Sequence, residues 1–223
     1  MTGAVAVFVK TPGLTAPKTR LAASIGPDAA GEFYHHSLDA VEETVSRFLK
    51  PRADWIARWA VAEEEGVSHP RWQSFGARHT GPGDLGARMW RIYEGLRRVH
   101  GRVFLIGADA PQLTAQHLKA AEKVLDSHDF VFGPASDGGF WLFGGRRVVP
   151  KEVWTVPRYS TAHARSDLEQ AMIEAGLQKP AHLLPLTDVD EVADLAALAQ
   201  EMPKSRTVSQ RKIMGWVKRM EQA

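Results

Sequence analysis

Apolar residues along this chain fall into short unbroken runs separated by longer stretches of helical periodicity. Gly3–Val9 (GAVAVFV), Asp54–Ala62, Val103–Ile106, Phe130–Phe132, Phe140–Phe143 and His182–Leu186 predict strands. A run without in–out alternation suits a strand covered on both faces, as in a parallel sheet under helices. Between these runs the spacing changes to steps of three and four. Gly26-Pro27-Asp28 opens a helix with proline at its first position, and Tyr34, Leu38, Val41, Val45 and Phe48 mark its apolar face. Leu85, Met89, Ile92 and Leu96 mark a second helix after Gly81–Asp84, and Leu118, Ala121 and Leu125 a third behind a Thr114 cap. Further helices are predicted over Ser160–Ala175, Glu191–Met202 and from Val208 onward, while Glu63–Thr80 is polar with room for a short helix. The alternation predicts an α/β three-layer sandwich around a mostly parallel central sheet. Phe130–Phe143 has no helix-length spacer, so an antiparallel strand or hairpin is expected there.

Composition narrows this picture. The 223 residues contain no Pro/Ser/Gly-rich linker, which predicts one domain over residues 1–203 and a basic amphipathic helix over 204–223. The absence of cysteine excludes disulfides, thiolate metal sites and cysteine nucleophiles, and fits a reducing cytoplasm. The apolar start, MTGAVAVFVK, is too short for a membrane span and lacks a charged leader. Lys204, Arg206, Arg211, Lys212, Lys218 and Arg219 contribute +6 near the C-terminus, offset by Glu221, so the net charge of +2 leaves the rest at −3. A near-neutral globule with a basic tail is not a nucleic-acid-binding body. On the tail, Ile213, Trp216, Val217 and Met220 share one helical face. That face is expected to pack on the body or on a second subunit, with membrane contact the minor alternative.

The candidate chemistry lies at the ends of predicted strands, where open α/β sheets bind ligands. Asp109 follows Val103–Ile106 directly, in GADAPQL. Lys10, Lys18 and Arg20 lie in the loop after the first strand, with glycine and two prolines. Such a loop can wrap phosphates, and a solvated surface loop is the alternative. Asp109, Asp188 and Asp190 read either as turn and helix caps or as carboxylates converging on one hard cation. Asp137-Gly138-Gly139 reads as a turn, or as a place where backbone approaches a ligand and Asp137 accepts from a hydroxyl. Gly81–Gly86 matches G-x-G-x-x-G formally, but no apolar strand precedes it, which argues against a dinucleotide site. The histidines show no ligand spacing.

Together, Lys18-Thr19-Arg20-Leu21, GDLGARM (83–89), GADAPQL (107–113), GPASDGG (133–139) and DVDEVADL (188–195) resemble the glycosyltransferase-like bacterial proteins called selenodomain-associated transferases. These belong to the nucleotide-diphospho-sugar transferase superfamily, of GT-A fold. The resemblance runs to about Leu195. More distantly, the layout is similar to the guanylyltransferases of molybdenum-cofactor and deazaflavin-cofactor synthesis. It implies that Lys18 and Arg20 hold nucleotide phosphates, with Lys10, Asp84 and Arg88 beside them. It implies Mg²⁺ or Mn²⁺ on Asp109, Asp188 and Asp190, and an acceptor near Asp137, Gly138 and Gly139. The chain departs from the pattern at Thr15, Ala87 and Tyr159, where the family usually has glycine, an acid and tryptophan.

The implied function is a metal-dependent transferase with a nucleotide-activated donor and a small-molecule acceptor. Asp109, Lys18 and Arg20 would be its catalytic residues. The cationic loop, and the single Asp109 where many GT-A glycosyltransferases carry Asp-x-Asp, lean toward nucleotidyl transfer from a nucleoside triphosphate to a phosphorylated acceptor. Glycosyl transfer from a nucleotide-sugar to a hydroxyl is the alternative. A nucleotide-binding protein without turnover is a third reading. A homo-oligomer stays open.

Overall fold

A computed structural model describes residues 2–220 and 222; Met1, Glu221 and Ala223, the last two within the expected C-terminal helix, lie outside the described residues. The strands are β1 (Gly3–Val9), β2 (Trp55–Val61), β3 (Ala77–His79), β4 (Arg102–Gly107), β5 (Phe130–Pro134), β6 (Phe140–Gly145) and β7 (Ala181–His182). They form one sheet in the order β3-β2-β1-β4-β6-β5-β7. All pairings are parallel except those of β6, which runs antiparallel to both β4 and β5. The missing helix spacer in Phe130–Phe143 thus marks a hairpin, and its second strand inserts between β4 and β5.

The helices are α1 (Thr19–Ile25), α2 (Pro27–Leu49), α3 (Leu85–Arg97), α4 (Ala115–Val124), α5 (Lys151–Thr155), α6 (Ala164–Glu174), α7 (Asp194–Glu201) and α8 (Val208–Met220). The unbroken apolar runs have the cause the sequence implied. In β1, Val5, Val7 and Val9 enter the core shared with α2 and α4, while Ala4 and Ala6 enter the core under α3, α5 and α6. In β4, Phe104 and Ile106 face the first layer, and Val103 and Leu105 the second. A third apolar cluster lies off the sheet. Leu21 of α1, Phe33 of α2, Val189, Leu198 of α7 and Ile213 and Trp216 of α8 meet there. The apolar face of α8 therefore packs on the body of its own chain. No helix among the described residues is long and apolar enough to cross a membrane.

Several boundaries differ from the sequence expectation. The loop after β1 ends sooner, because Thr19–Ile25 forms a separate helix whose buried residue is Leu21. The predicted strand His182–Leu186 shortens to Ala181–His182 plus a single bridge between Ala135 and Leu186. The helix expected from Ser160 begins at Ala164, since residues 160–163 form a turn. The polar stretch Glu63–Thr80 holds two short 3-10 turns and the edge strand β3.

Candidate active site

A cleft of about 790 Å³ opens where β1 and β4 end, between the sheet, α3 and the turn before α6. Lys10, Lys18, Arg20, Arg88, Asp109, Asp137, Gly139, Asp188 and Asp190 all line it.

Three separate loops build its floor. Asp109 follows β4, and the polar groups freed by the Pro111 turn are taken up from behind. The Ser37 hydroxyl donates to the Ala108 carbonyl at 2.5 Å, and the Thr44 hydroxyl to Leu113 at 2.9 Å. Both hydroxyls come from α2, so the carbonyls of Ala108 and Leu113 keep a donor as the loop is buried. Asp188 and Asp190 sit in a loop fastened to the first by the Val189 N–H, which donates to the Asp109 carbonyl at 3.2 Å. Asp190 is not the helix cap that its position before Glu191 suggested. The Asp194 carboxylate accepts the N–H groups of both Asp190 and Glu191, which frees the Asp190 side chain for the cleft.

Lys18 supplies the third piece. It sits in the left-handed region (φ 50°, ψ 49°) immediately before α1. Its side chain is 3% exposed, and Nζ lies 2.5 Å from Asp109, 3.0 Å from Asp190 and 3.5 Å from Asp188. Burial alone would lower the ammonium pKa; the three facing carboxylates outweigh it, and the pKa is raised. Lys18 is thus a buried counter-ion to three acids rather than a free cation of the loop. One ammonium does not neutralise them. Burial first, then the negative charge of Asp109, push the Asp188 carboxyl up to about 7, with Lys18 opposing and Asp190 and Asp137 adding to the rise.

Asp137, expected on the acceptor side, belongs with the acids. One carboxylate oxygen from each of Asp137, Asp188 and Asp190 lies within 4.8 Å of the other two, and Asp109 stands outside this trio. Three oxygen donors carrying uncompensated charge suit a hard divalent cation, and the carboxylate chemistry fits Mg²⁺ or Mn²⁺. The Asp137 turn is itself fixed, since its carboxylate accepts the Gly139 N–H at 2.9 Å.

The remaining expected residues divide. Lys10, Arg20 and Arg88 reach the cleft, and among the described residues none of the three is in an ion pair. Arg88 spends one donor on the Gly83 carbonyl at 2.9 Å. Asp84 lies off the cleft wall, because its carboxylate caps α3 by accepting the Ala87 N–H at 2.8 Å. Gly138 also lies off the wall; it is backbone against backbone, its carbonyl accepting the Arg165 N–H at 3.2 Å. Sequence reasoning gave no role to Tyr159, Ser160 and Thr161, which form the opposite wall. Ser160 (φ 62°) and Lys18 are the two non-glycine residues with positive φ among the described residues, and both face this cleft. Backbone strain of this kind concentrates at functional sites. The Tyr-Ser-Thr block of the family resemblance was the available signal.

A family model described as "Uncharacterized protein conserved in bacteria (DUF2064)" matches residues 48–161. No curated protein matches the sequence. Among solved structures, the chain is similar to a candidate nucleotide-diphospho-sugar transferase from Desulfovibrio desulfuricans G20, with 24% identity, 98% of each chain covered and a TM-score of 0.82. It is also similar to a CMP:2-keto-3-deoxy-manno-octonic acid synthetase complexed with CTP (12% identity, 90% of this chain and 100% of that one, TM-score 0.54). A third is glucosyl-3-phosphoglycerate synthase from Mycobacterium tuberculosis in complex with Mn²⁺, UDP and glucosyl-3-phosphoglycerate (13% identity, 92% and 81%, TM-score 0.51). What the chain shares with all three is the fold, the nucleotide-diphospho-sugar transferase type that the sequence resemblance implied.

Proposed function

This chain belongs to the DUF2064 family, and from that premise and its cleft we propose that it is a transferase using a nucleotide-activated donor and a divalent cation. One observation carries the reading. The cleft pairs a floor of acids, over-charged even with Lys18 among them, with a rim of cations that form no ion pair among the described residues. A nucleotide phosphate chain with its metal presents the complementary charges. Two solved relatives in fold hold such ligands, CTP in one and UDP with Mn²⁺ in the other.

A cation held by Asp188 and Asp190, with Asp137 or Asp109, would supply neutralisation of donor phosphate charge. The chain's own residues do the rest. Lys10, Arg20 and Arg88 bind phosphate oxygens, Arg through a planar fork and Lys as a point charge. Lys18 fixes Asp109 and Asp190 in place and keeps positive charge at the floor. The wall of Tyr159, Ser160 and Thr161 orients the acceptor and excludes water. No protein nucleophile is required, so catalysis consists of positioning and electrostatics. In nucleotidyl transfer, an acceptor phosphate oxygen forms a bond to the α-phosphorus of a triphosphate while the bond to the β-phosphate oxygen breaks and pyrophosphate leaves. Three rim cations match a triphosphate better than a diphosphate, which favours this reaction. Glycosyl transfer is the second reading, favoured by the fold shared with the UDP-bound synthase; there an acceptor hydroxyl displaces the nucleoside diphosphate from the sugar carbon.

Thermal shift with a panel of nucleoside triphosphates and nucleotide-sugars, each with and without Mn²⁺, tests the proposal. A ligand at 100 times its Kd adds about 2.7 kcal/mol to stability. A metal-dependent shift with a triphosphate is expected. A shift confined to a nucleotide-sugar would establish the glycosyl reading, and no shift with any member would overturn both. Pyrophosphate or nucleoside diphosphate release then separates an enzyme from a nucleotide-binding protein without turnover.

A further inference from the structure

Glu201 ends α7 with a carboxylate at the negative pole of its helix, where a cation is the favoured choice. A residue that contradicts its local setting has another reason to be there. The Glu201 carboxylate accepts three hydrogen bonds. Two come from Thr187, its N–H at 2.8 Å on Oε2 and its hydroxyl at 2.7 Å on Oε1. The third comes from Gln112 Nε2 at 2.9 Å, on Oε2. Gln112 is fully buried, and the same nitrogen donates to the Thr187 carbonyl at 2.7 Å.

Thr187 directly precedes Asp188, and Gln112 stands three residues after Asp109. The two loops therefore meet at the Val189–Asp109 backbone bond on the cleft side, and behind it through Gln112, which bonds the Thr187 carbonyl directly and shares the Glu201 carboxylate with Thr187. A second helix holds the Asp109 loop from the same side. The buried Gln210 of α8 donates to the carbonyls of Pro111 at 3.1 Å and Leu113 at 3.0 Å. Neither α7 nor α8 touches the cleft.

We propose that Glu201 and Gln112 are positioning residues: they form a strut that sets the spacing between Asp109 and the Asp188–Asp190 pair. Without the strut, Lys18 and the Val189–Asp109 backbone bond are left to link the two loops against repulsion among these acids. The proposal rests on the reading of the cleft as a metal–nucleotide site, and its test keeps the two separable.

Two readouts are made on the full chain, far below the melting temperature. The first is Mn²⁺ affinity by titration calorimetry. The second is the rate of Lys18 acylation by an amine-reactive reagent, read by mass spectrometry, which needs no metal. Glu201→Ala removes all three bonds; it should weaken Mn²⁺ binding at least about tenfold, as loss of groups behind metal ligands does, and label Lys18 several-fold faster. Glu201→Gln should stay close to wild type. Its oxygen can keep both bonds at Oε2, while its amide donates to a Thr187 hydroxyl that has turned to accept. Leu198→Val thins the same apolar cluster without touching the strut, so it should lower the melting point yet leave both readouts unchanged. If Glu201→Ala does not fold, Thr187→Val, which removes the 2.7 Å bond alone, carries the same test with a smaller effect. The strut is overturned if Glu201→Ala matches wild type in both readouts, or if Leu198→Val moves them as far. Should wild type bind neither Mn²⁺ nor nucleotide, the transferase reading falls, and Lys18 labelling alone decides the strut.

Discussion

Lys18 shows why residue types in a sequence under-determine their roles. In the linear chain it is one of three cations in a loop, and phosphate binding is the natural reading. In the fold it is the most sequestered of them, held by carboxylates 91, 170 and 172 positions away. The difference lies in its left-handed backbone, which turns the side chain inward just before α1; nothing in the local sequence announces that conformation. The place of Asp137 beside the other acids was hidden for a similar reason. Its turn was legible, but its partners are 51 and 53 residues on, in a loop whose position depends on the whole sheet. The pattern read Asp109, Asp188 and Asp190 either as caps or as carboxylates converging on one cation, and the ordered blocks that resemble one family favoured the second reading. The charge balance at Lys18 has a measurable consequence. Lys18→Met leaves three acids facing one another. Removing one partner of a fully buried pair costs about 3–5 kcal/mol. These acids are 28 to 41% exposed, so about 1–3 kcal/mol is expected at neutral pH. Mn²⁺ should raise the melting point of the variant more than that of wild type, because it replaces the missing charge. Equal melting points for variant and wild type without metal would show that the ion pairs hold nothing.

Elements were legible where burial imposes a simple pattern. The runs Gly3–Val9 and Val103–Ile106 read as two-faced strands, and each sends alternate residues into opposite cores. Elements were missed where few residues are buried or no cap marks the start. The seven residues of α1 bury Leu21 alone, and no side chain caps their N-terminus. The start of α7 was placed three residues early because Asp190 has the composition of a cap, while no side chain caps the helix and Asp194, its first residue, instead ties down the turn before it by accepting the N–H groups of Asp190 and Glu191. The β5–β6 hairpin tip shows how an element edge shapes the site. Gly138 has φ 90°, and a Cβ there would stand 2.0 Å from the Ala162 carbonyl oxygen. The tip carries Asp137, and the opposing turn carries Ser160 and Thr161, so this contact sets the width of the cleft. Gly138→Ala should cost about 2 kcal/mol or more, from a strained backbone together with a clash that only a loop shift relieves. Gly13→Ala, at φ 84° with open space around it, should cost only the backbone part, about 1 kcal/mol. Denaturant titration of the two variants compares them directly, and equal losses would mean that the Gly138 contact is not tight.

For the whole molecule, the same charges predict how stability follows pH. Glu43 of α2 accepts the Ser209 N–H at 2.9 Å and so ties the start of α8 to the body. Burial works against its ionisation, but the hydrogen bonds from Ser209, with Thr207 and Arg47 behind them, win and hold its carboxyl down at about 2. A folded pKa below the unfolded value gives stability that is present above about pH 4.5 and lost as pH falls toward 2. Glu63 and Glu94 are lowered as well and act with the same sign. Asp188 has the opposite sign. Its pKa, raised from 3.8 to about 7, means that the fold loses stability as pH rises between those values, because an acid that ionises readily in the unfolded chain must ionise against burial and Asp109 in the folded one. The two arms leave a maximum near the lower end of this range, followed by a decline toward neutrality. A divalent cation on the acid floor binds the ionised carboxylates and cancels the repulsion that produces the decline, without touching Glu43. Melting temperatures measured from pH 3 to 8 should therefore fall on both sides of the maximum in chelator, and the upper side alone should flatten in millimolar Mn²⁺. A decline above pH 5 that Mn²⁺ leaves unchanged would mean that the cation does not sit at these acids, and an unchanged acid limb in Glu43→Gln would mean that the tie to α8 is not what acid breaks.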